Sequence, residues 1–160
     1  MLKMIYPIKY EQEINEHALK YKQSPYLFLS LIREESHFNK NAKSSVGATG
    51  LSQLMSSTAD FIEKKSVSKE ILLTPSENIR IGLRYFSYLV DYFNKDEYLA
   101  ILAYNAGPGN IKKWLESPNI KSDEIDVFVE NIPYIETKNY IKKILSSYWT
   151  YINIYSAKNK

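Results

Sequence analysis

Arg33-Glu34-Glu35-Ser36 closes an apolar stretch, and a glycine-punctuated segment follows it, Gly47-Ala48-Thr49-Gly50-Leu51-Ser52-Gln53-Leu54-Met55. On a helix, Phe28, Leu31, Ile32 and Glu35 share one face, because they lie three, four and seven residues apart. Burial beside such a face raises the pKa of a carboxyl group, and the negative end of the helix dipole acts in the same direction. A carboxylic acid still protonated near neutrality is a general acid, which is what a glycosidic leaving oxygen requires. Glu34 is expected to point elsewhere, since adjacent helical residues do not share a face. The competing reading of Glu35 is a solvated glutamate at a helix end.

The elements that must position this carboxyl are helical. Glu11 to Lys22 carries Ile14, Ala18 and Tyr21 on one side. Ser24 then caps and Pro25 enters a first turn, so the spacing predicts a second helix from Pro25 to about Glu35. Residues 39–45 read as polar loop, and residues 46–53 show no period. Ser57-Thr58-Ala59-Asp60 resembles a capping box and predicts a short helix to about Lys65. Thr74-Pro75-Ser76-Glu77 opens a longer helix in which Ile79, Leu83, Phe86, Val90 and Phe93 recur at helical spacing. Glu97 to Ala106 follows and stops at Gly107-Pro108-Gly109. Shorter helices are predicted over Asn110 to Glu116 and Asp123 to Glu130. The last covers roughly Ile135 to Tyr151, with Tyr140, Ile141, Ile144, Leu145 and Tyr148 inward. Ser156 to Lys160 is expected to fray. Almost nothing alternates at period two, so the fold class is all-α, in one domain over residues 1–160 with a core at about 6–155.

Composition narrows the function. A chain of 160 residues buries roughly two thirds of its unfolded surface and needs no staples. It has no cysteine, which removes disulfides and cysteine-bearing metal sites. His17 and His37 have no ligand spacing around them, and no phosphate loop or dinucleotide fingerprint is present, so no metal and no cofactor is expected. The longest apolar runs are too short to span a bilayer, so no stable membrane insertion is expected. Met1-Leu2-Lys3-Met4-Ile5-Tyr6-Pro7 is too short and interrupted for a signal peptide; export without one, or removal of a leader, remains open. The net charge of +3 is mild and arginine contributes only Arg33, Arg80 and Arg84, so a nucleic-acid partner is not expected. A weak positive field suits an anionic polymer such as a bacterial wall, and equally an ordinary surface. Fourteen tyrosines offer flat area for sugars, although most fit half-buried helical positions.

Five ordered motifs carry a resemblance to a known family. They are Arg33-Glu34-Glu35-Ser36; Ser44-Ser45-Val46-Gly47-Ala48-Thr49-Gly50-Leu51-Ser52-Gln53-Leu54-Met55; Asn78-Ile79 with Gly82, Tyr85 and Phe86; Ala103-Tyr104-Asn105-Ala106-Gly107-Pro108-Gly109; and Ile132-Pro133-Tyr134-Ile135-Glu136-Thr137-Lys138-Asn139-Tyr140. Together they resemble the catalytic domain of bacterial soluble lytic transglycosylases, in the lysozyme-like superfamily, over about Tyr6 to Tyr155. Departures are Glu34 for a common glutamine, Ser52 for methionine, Ser56 for proline and Lys138 for a frequent arginine. Ser52 is expected to alter the groove wall.

The resemblance implies a lysozyme-like fold of short helices around a groove. It implies cleavage, without water, of the β-1,4 bond between N-acetylmuramic acid and N-acetylglucosamine in peptidoglycan glycan strands. It makes Glu35 the catalytic acid and then base. It places Gln53 and the backbone of Met55 at the catalytic subsite, Ser44 near the acid, and the Tyr104 hydroxyl close enough to bond to the Glu35 carboxylate. Asn105 contacts substrate or ties down the Gly107-Pro108-Gly109 turn. Glu136 contacts sugar or fixes its loop, and Tyr140 faces the groove or the core. Such an enzyme works in the cell envelope or outside the cytoplasm. Two alternatives stay open: a hydrolase of the same bond, with Asp60 or Glu130 as second carboxylate, and a non-catalytic wall-binding domain.

Overall fold

The computed structural model describes residues 1–156. Ten helices occupy them: α1 Leu2–Ile5, α2 Glu11–Tyr21, α3 Pro25–Ser36, α4 Ser56–Glu63, α5 Lys69–Leu72, α6 Pro75–Tyr92, α7 Glu97–Ala106, α8 Pro108–Glu116, α9 Ile125–Asn131 and α10 Ile135–Tyr155. Among the described residues there is no strand, only the isolated bridges Lys43↔Thr49 and Thr49↔Leu54. No helix among them is long and apolar enough to cross a membrane. From Ala157 on, the expected frayed end lies outside the described residues.

The helix α7 is the centre of the domain. Its run Ala100-Ile101-Leu102-Ala103 is fully buried, which fits a helix apolar on all sides. Around it pack α6, α8 and α10; α3 lies against α10, and α2 against α6. One core joins Ile14, Phe28, Leu31, Ile32, Leu51, Phe86, Leu102, Ile141 and Ile144. A smaller one under α4 and α5 joins Leu54, Ala59, Ile62, Val67, Leu72 and Ile81.

The start of α3 is as its sequence dictates. The Ser24 hydroxyl accepts from the Leu27 N–H at 3.4 Å, and Pro25 sits where a missing N–H costs nothing. Two serines buried in its middle and end, Ser30 and Ser36, donate back to the carbonyls of Tyr26 and Ile32 and so leave no orphan hydroxyl. The helix stops at His37, whose φ of 50° is left-handed. Phe38 follows at φ 63°, turning the chain away one residue after the last turn that holds Glu35.

The boundaries depart from expectation in physically readable ways. The capping box at Ser57 does not form: α4 begins after Met55 with no side-chain cap. Asp60 accepts instead from the Val67 N–H at 2.7 Å, bracing the loop that follows. Pro108 opens α8, two residues before the expected start, because proline is favoured in a first turn. The helix α9 is shifted to Ile125–Asn131, and α10 runs one turn further, to Tyr155, where the hydroxyls of Tyr151 and Tyr155 donate to the carbonyls of Pro7 and Tyr6. The short helices α1 and α5 have too few residues to show a period.

Candidate active site

The floor of the site is the C-terminal turn of α3. Phe28, Leu31 and Ile32 are buried beneath it, and the half-buried Glu35 projects from the same face. Its carboxyl lies in a groove of about 380 Å³ lined by Glu34, Glu35, Asn105, Glu136, Asn139, Tyr140 and Lys143. Burial, the dominant cause, raises the Glu35 pKa from 4.5 to about 7, and the nearby carboxylates of Glu136 and Glu34 push the same way. One contact opposes them: the Tyr140 hydroxyl donates to Glu35 Oε1 at 2.6 Å. Burial and the charge of Glu35 keep the Tyr140 phenol well above its ordinary pKa, so it remains a donor throughout the neutral range.

This assigns the tyrosine roles differently from the expectation. Tyr104 does not bond to the acid; its hydroxyl donates to the backbone carbonyl of Ser52 at 2.8 Å. It remains close enough for the Glu35 charge to raise its pKa, after burial as the larger cause. Tyr140, which sequence left between groove and core, is the partner of Glu35. Tyr140→Phe is therefore expected to lower kcat by about tenfold or more, the scale of one hydrogen bond to a reacting charged group. Losing a bond that favours the carboxylate also moves the alkaline limb of the pH–rate profile above 7. Tyr104→Phe leaves a buried carbonyl unpaired, so its main expected loss is roughly 1–3 kcal/mol of stability. Profiles and urea melts of the two variants check this; a larger kcat loss at Tyr104 would reverse the roles.

The loop over residues 42–54 supplies no residue of the groove lining and is tied to the site through Tyr104, whose hydroxyl donates to the Ser52 carbonyl. Several of the loop's N–H groups pair within it: Ser44 to Ala48, Gly50 to Ala42, Leu54 to Thr49. Ser44 accepts from the Ala48 N–H at 3.0 Å, so its recorded contact is to the loop itself. Gln53, at φ 48°, spends its amide N–H groups on the carbonyls of Ala42 and Gly50 and thereby holds the loop closed. Met55, 37 % exposed, leads into α4. Ser44, Gln53 and Met55 are not among the residues lining the Glu35 groove.

The loop is nailed to α6 by Asn78. Its Oδ1 accepts from the Ser52 N–H and hydroxyl at 2.8 and 2.7 Å, and its Nδ2 donates to the carbonyls of Thr49 and Leu72 at 3.0 and 2.8 Å. Gly50 sits at φ +80°, and a Cβ there would meet Asn78 Nδ2 at 2.3 Å and the Leu72 carbonyl at 2.4 Å. A Cβ on Gly82 would meet the Ser52 hydroxyl at 2.4 Å. Ser52 is thus fully buried against α6, on Gly82 and Asn78, and not in the groove wall as expected; a small side chain meets a hydrogen-bonding partner there.

The wall facing the end of α3 is the start of α10. Glu136, Asn139, Tyr140 and Lys143 fall on one face at helical spacing. Asn139 and Lys143 were missed in the sequence, although this spacing from Glu136 could have found them. Glu136 is exposed in the first turn, where the dipole favours a carboxylate. Asn105 accepts from the Thr137 hydroxyl at 2.7 Å, which ties α7 to α10; the Gly107 turn is instead held by Asn110, whose Nδ2 donates to the Ala106 carbonyl. Glu34 turns to Arg33 Nη1 at 2.8 Å and the Ser147 hydroxyl at 3.4 Å, yet its side chain still borders the groove. Asp60 and Glu130 do not line it: Asp60 braces its loop, and Glu130 pairs with Lys142 at 2.5 Å. Among the described residues no three His, Asp or Glu side chains converge as a metal would require.

The half-buried acid at a helix end, the tyrosine that donates to it and the groove between α3 and α10 belong to a chain that a family model matches. The family model described as Transglycosylase SLT domain matches residues 12–127. The chain belongs to this family. It is 34 % identical over 146 residues to the soluble lytic murein transglycosylase of Salmonella typhimurium, covering 88 % of this chain and 22 % of that protein. To the soluble lytic murein transglycosylase of Escherichia coli K12 it is 38 % identical over 130 residues, covering 77 % and 20 %. Its fold is similar to lytic transglycosylase Slt of Pseudomonas aeruginosa, solved as an inactive mutant, with a TM-score of 0.88 and 33 % identity, covering 98 % of this chain and 26 % of that one. The 70 kDa soluble lytic transglycosylase of Escherichia coli gives 0.89 and 32 %, covering 96 % and 25 %. The chain therefore spans about a quarter of the length of these relatives.

Proposed function

We propose that this SLT domain is a lytic transglycosylase acting on peptidoglycan glycan strands. It cleaves the β-1,4 bond between N-acetylmuramic acid and N-acetylglucosamine and leaves 1,6-anhydromuramoyl ends. The observation that carries this reading is Glu35, held protonated up to about pH 7 in a groove and bonded to Tyr140. Glu35 gives its proton to the glycosidic oxygen as the C1–O bond breaks. The substrate's acetamido group stabilises C1 in the interval. The Glu35 carboxylate then takes the proton of the C6 hydroxyl as that oxygen bonds to C1, which regenerates the acid. No water is consumed, and one carboxyl group serves both steps because the nucleophile is part of the substrate.

Asn105, Glu136 and Tyr140 are placed to meet the sugar beside Glu35, while Ser44, Gln53, Met55 and Tyr104 shape the loop that borders the site. Such a substrate places the domain in the cell envelope or outside the cytoplasm. A water-using reaction needs a second carboxylate across the sugar. Besides Glu35 itself, Glu136 is the groove carboxylate without an ion-pair partner among the described residues, so the hydrolase alternative rests on it. Mass analysis of digested wall sacculi decides between them. Products lighter by one water than reducing-end muropeptides are expected; reducing ends alone would establish the hydrolase, and sacculus binding with no release would leave a wall-binding domain.

A further inference from the structure

Glu34 stands one residue before the acid on α3, and its side chain is only 11 % exposed. It borders two spaces. One is the groove it shares with Glu35; the other is a second recess of about 520 Å³ that also meets Arg33, His37, Asn139 and Lys143. The carboxylate of Glu34 is fixed by two donors. Arg33 Nη1 donates to Oε1 at 2.8 Å, and the Ser147 hydroxyl, from α10, donates to the same oxygen at 3.4 Å. Its Oε2 accepts no bond from the described residues. Arg33 is itself held. Its guanidinium lies 4.4 Å from the centre of the Tyr6 ring, and that ring meets the ring of Tyr151 edge-on at 5.5 Å. Arg33 lines the recess and not the groove, so it grips Glu34 without entering the space of the acid.

We propose that Glu34 is a positioning residue of this site: its carboxylate, clamped by Arg33 on Tyr6 and by Ser147, holds a fixed negative charge beside Glu35 and sets the pH range in which that acid keeps its proton. This rests on the proposed role of Glu35 and extends it to the residue that tunes it. A carboxylate that cannot swing into solvent acts on its neighbour at constant separation and through little water, where like charges repel most. The other groups around Glu35 are Tyr140, Glu136 and Lys143 of α10 and Tyr104 of α7. The Tyr140 hydroxyl favours the carboxylate form of Glu35. Glu136 acts more strongly than Glu34 and in the same direction, but it is exposed, so salt screens it. Lys143, of opposite sign, is exposed as well. Glu34 is the held charge among them. In the proposed reaction the Glu35 carboxylate must take the proton of a C6 hydroxyl, which is a weak acid, and a negative charge alongside makes Glu35 a stronger base at that step. Glutamine, common at this position in the resembled family, would keep both bonds and lack the charge.

The test separates charge from packing. Glu34→Gln keeps the size of the side chain and an oxygen for Arg33 and Ser147, and removes only the charge. The carboxyl carbon of Glu35, isotopically labelled, is titrated by NMR in folded protein without substrate. The midpoint in the variant is expected to lie below that of wild type by roughly half a pH unit, the scale of one partly screened like charge. On peptidoglycan, kcat/KM at pH 8 should fall about threefold, while at pH 5, where Glu35 is protonated in both proteins, it should be unchanged. Glu34→Asp keeps the charge and shortens the reach to Ser147, so its midpoint should stay nearer wild type than that of Glu34→Gln. Glu34→Ala is read in the same titration and serves if the glutamine variant does not fold. An unchanged midpoint in either uncharged variant, or an activity loss equal at pH 5 and pH 8, overturns the proposal and leaves Glu34 a tie between α3 and α10. A lowered midpoint in protein whose wild type releases no anhydromuramoyl ends would remove the proposed reaction and leave the coupling of Glu34 to Glu35 standing.

Discussion

Glu35→Gln is expected to reduce turnover by roughly 100-fold or more, the usual scale for a general acid–base group. Glutamine keeps the size and accepts the Tyr140 hydroxyl but has no proton to transfer. Near-normal release of muropeptides by folded mutant protein would refute the assignment. The same group sets the pH dependence. Since the reactive form is the protonated acid, kcat/KM should fall as pH rises through about 7. The acidic limb should be flatter than in a glycosidase that also needs an ionised carboxylate. Stability has the corresponding sign. A carboxyl whose pKa is raised from 4.5 to about 7 on folding contributes fully below about pH 4.5, and its contribution is lost as pH rises through 7. The glutamine variant lacks that loss. It should match wild type near pH 4 and exceed it by roughly 3 kcal/mol at most near pH 8, as urea melts at the two pH values would show. A variant less stable at both would mean that the carboxylate is better solvated than its surroundings indicate.

Asn78→Leu is expected to cost on the order of 3–5 kcal/mol, because it strands the buried Ser52 N–H and the Leu72 carbonyl together and takes one of two donors from the Thr49 carbonyl, which keeps the Leu54 N–H. A domain of this size has roughly 5–15 kcal/mol in all, so the melting temperature should drop by about 10 °C. Ser52→Ala removes only the hydroxyl and leaves the Ser52 N–H on Asn78, so a loss near 1 kcal/mol is expected. The larger change should also lower turnover at temperatures where the protein is folded, since the carbonyl of Ser52 receives the Tyr104 hydroxyl at the edge of the site. A loss below about 1 kcal/mol for Asn78→Leu would show that water replaces all of these bonds.

Much of the frame was legible because it is local. Ser24 and Pro25 mark the start of α3, Phe28, Leu31 and Ile32 mark its buried face, and α7 runs from Glu97 to Ala106 as its pattern indicates. Where the reading failed, a longer-range partner had won. The capping-box pattern makes Asp60 part of a cap, but its carboxylate accepts from the Val67 N–H, seven residues on, and α4 has no side-chain cap. Ser52 is expected at the groove wall because it stands where the resembled family usually has methionine. Its side chain instead turns toward Asn78, 26 residues away.

The amino-acid sequence by itself determined the all-α class, the family and the position of Glu35 at the end of an apolar helix. Each of these depends on residues close together in the chain or on motifs in a fixed order. Which tyrosine meets the acid was decided only by the tertiary structure. Tyr140 is separated from Glu35 by 105 residues, and helical spacing states that it faces inward without stating what it faces. The packing of α3 against α10 brings the two together, and packing of α6 on α7 brings Tyr104 to the loop carbonyl instead. The same packing gathers Arg33, His37 and Lys143 from two helices into one recess, a grouping that no spacing along the chain contains, because periodicity orders side chains around one helix and says nothing of the helix beside it.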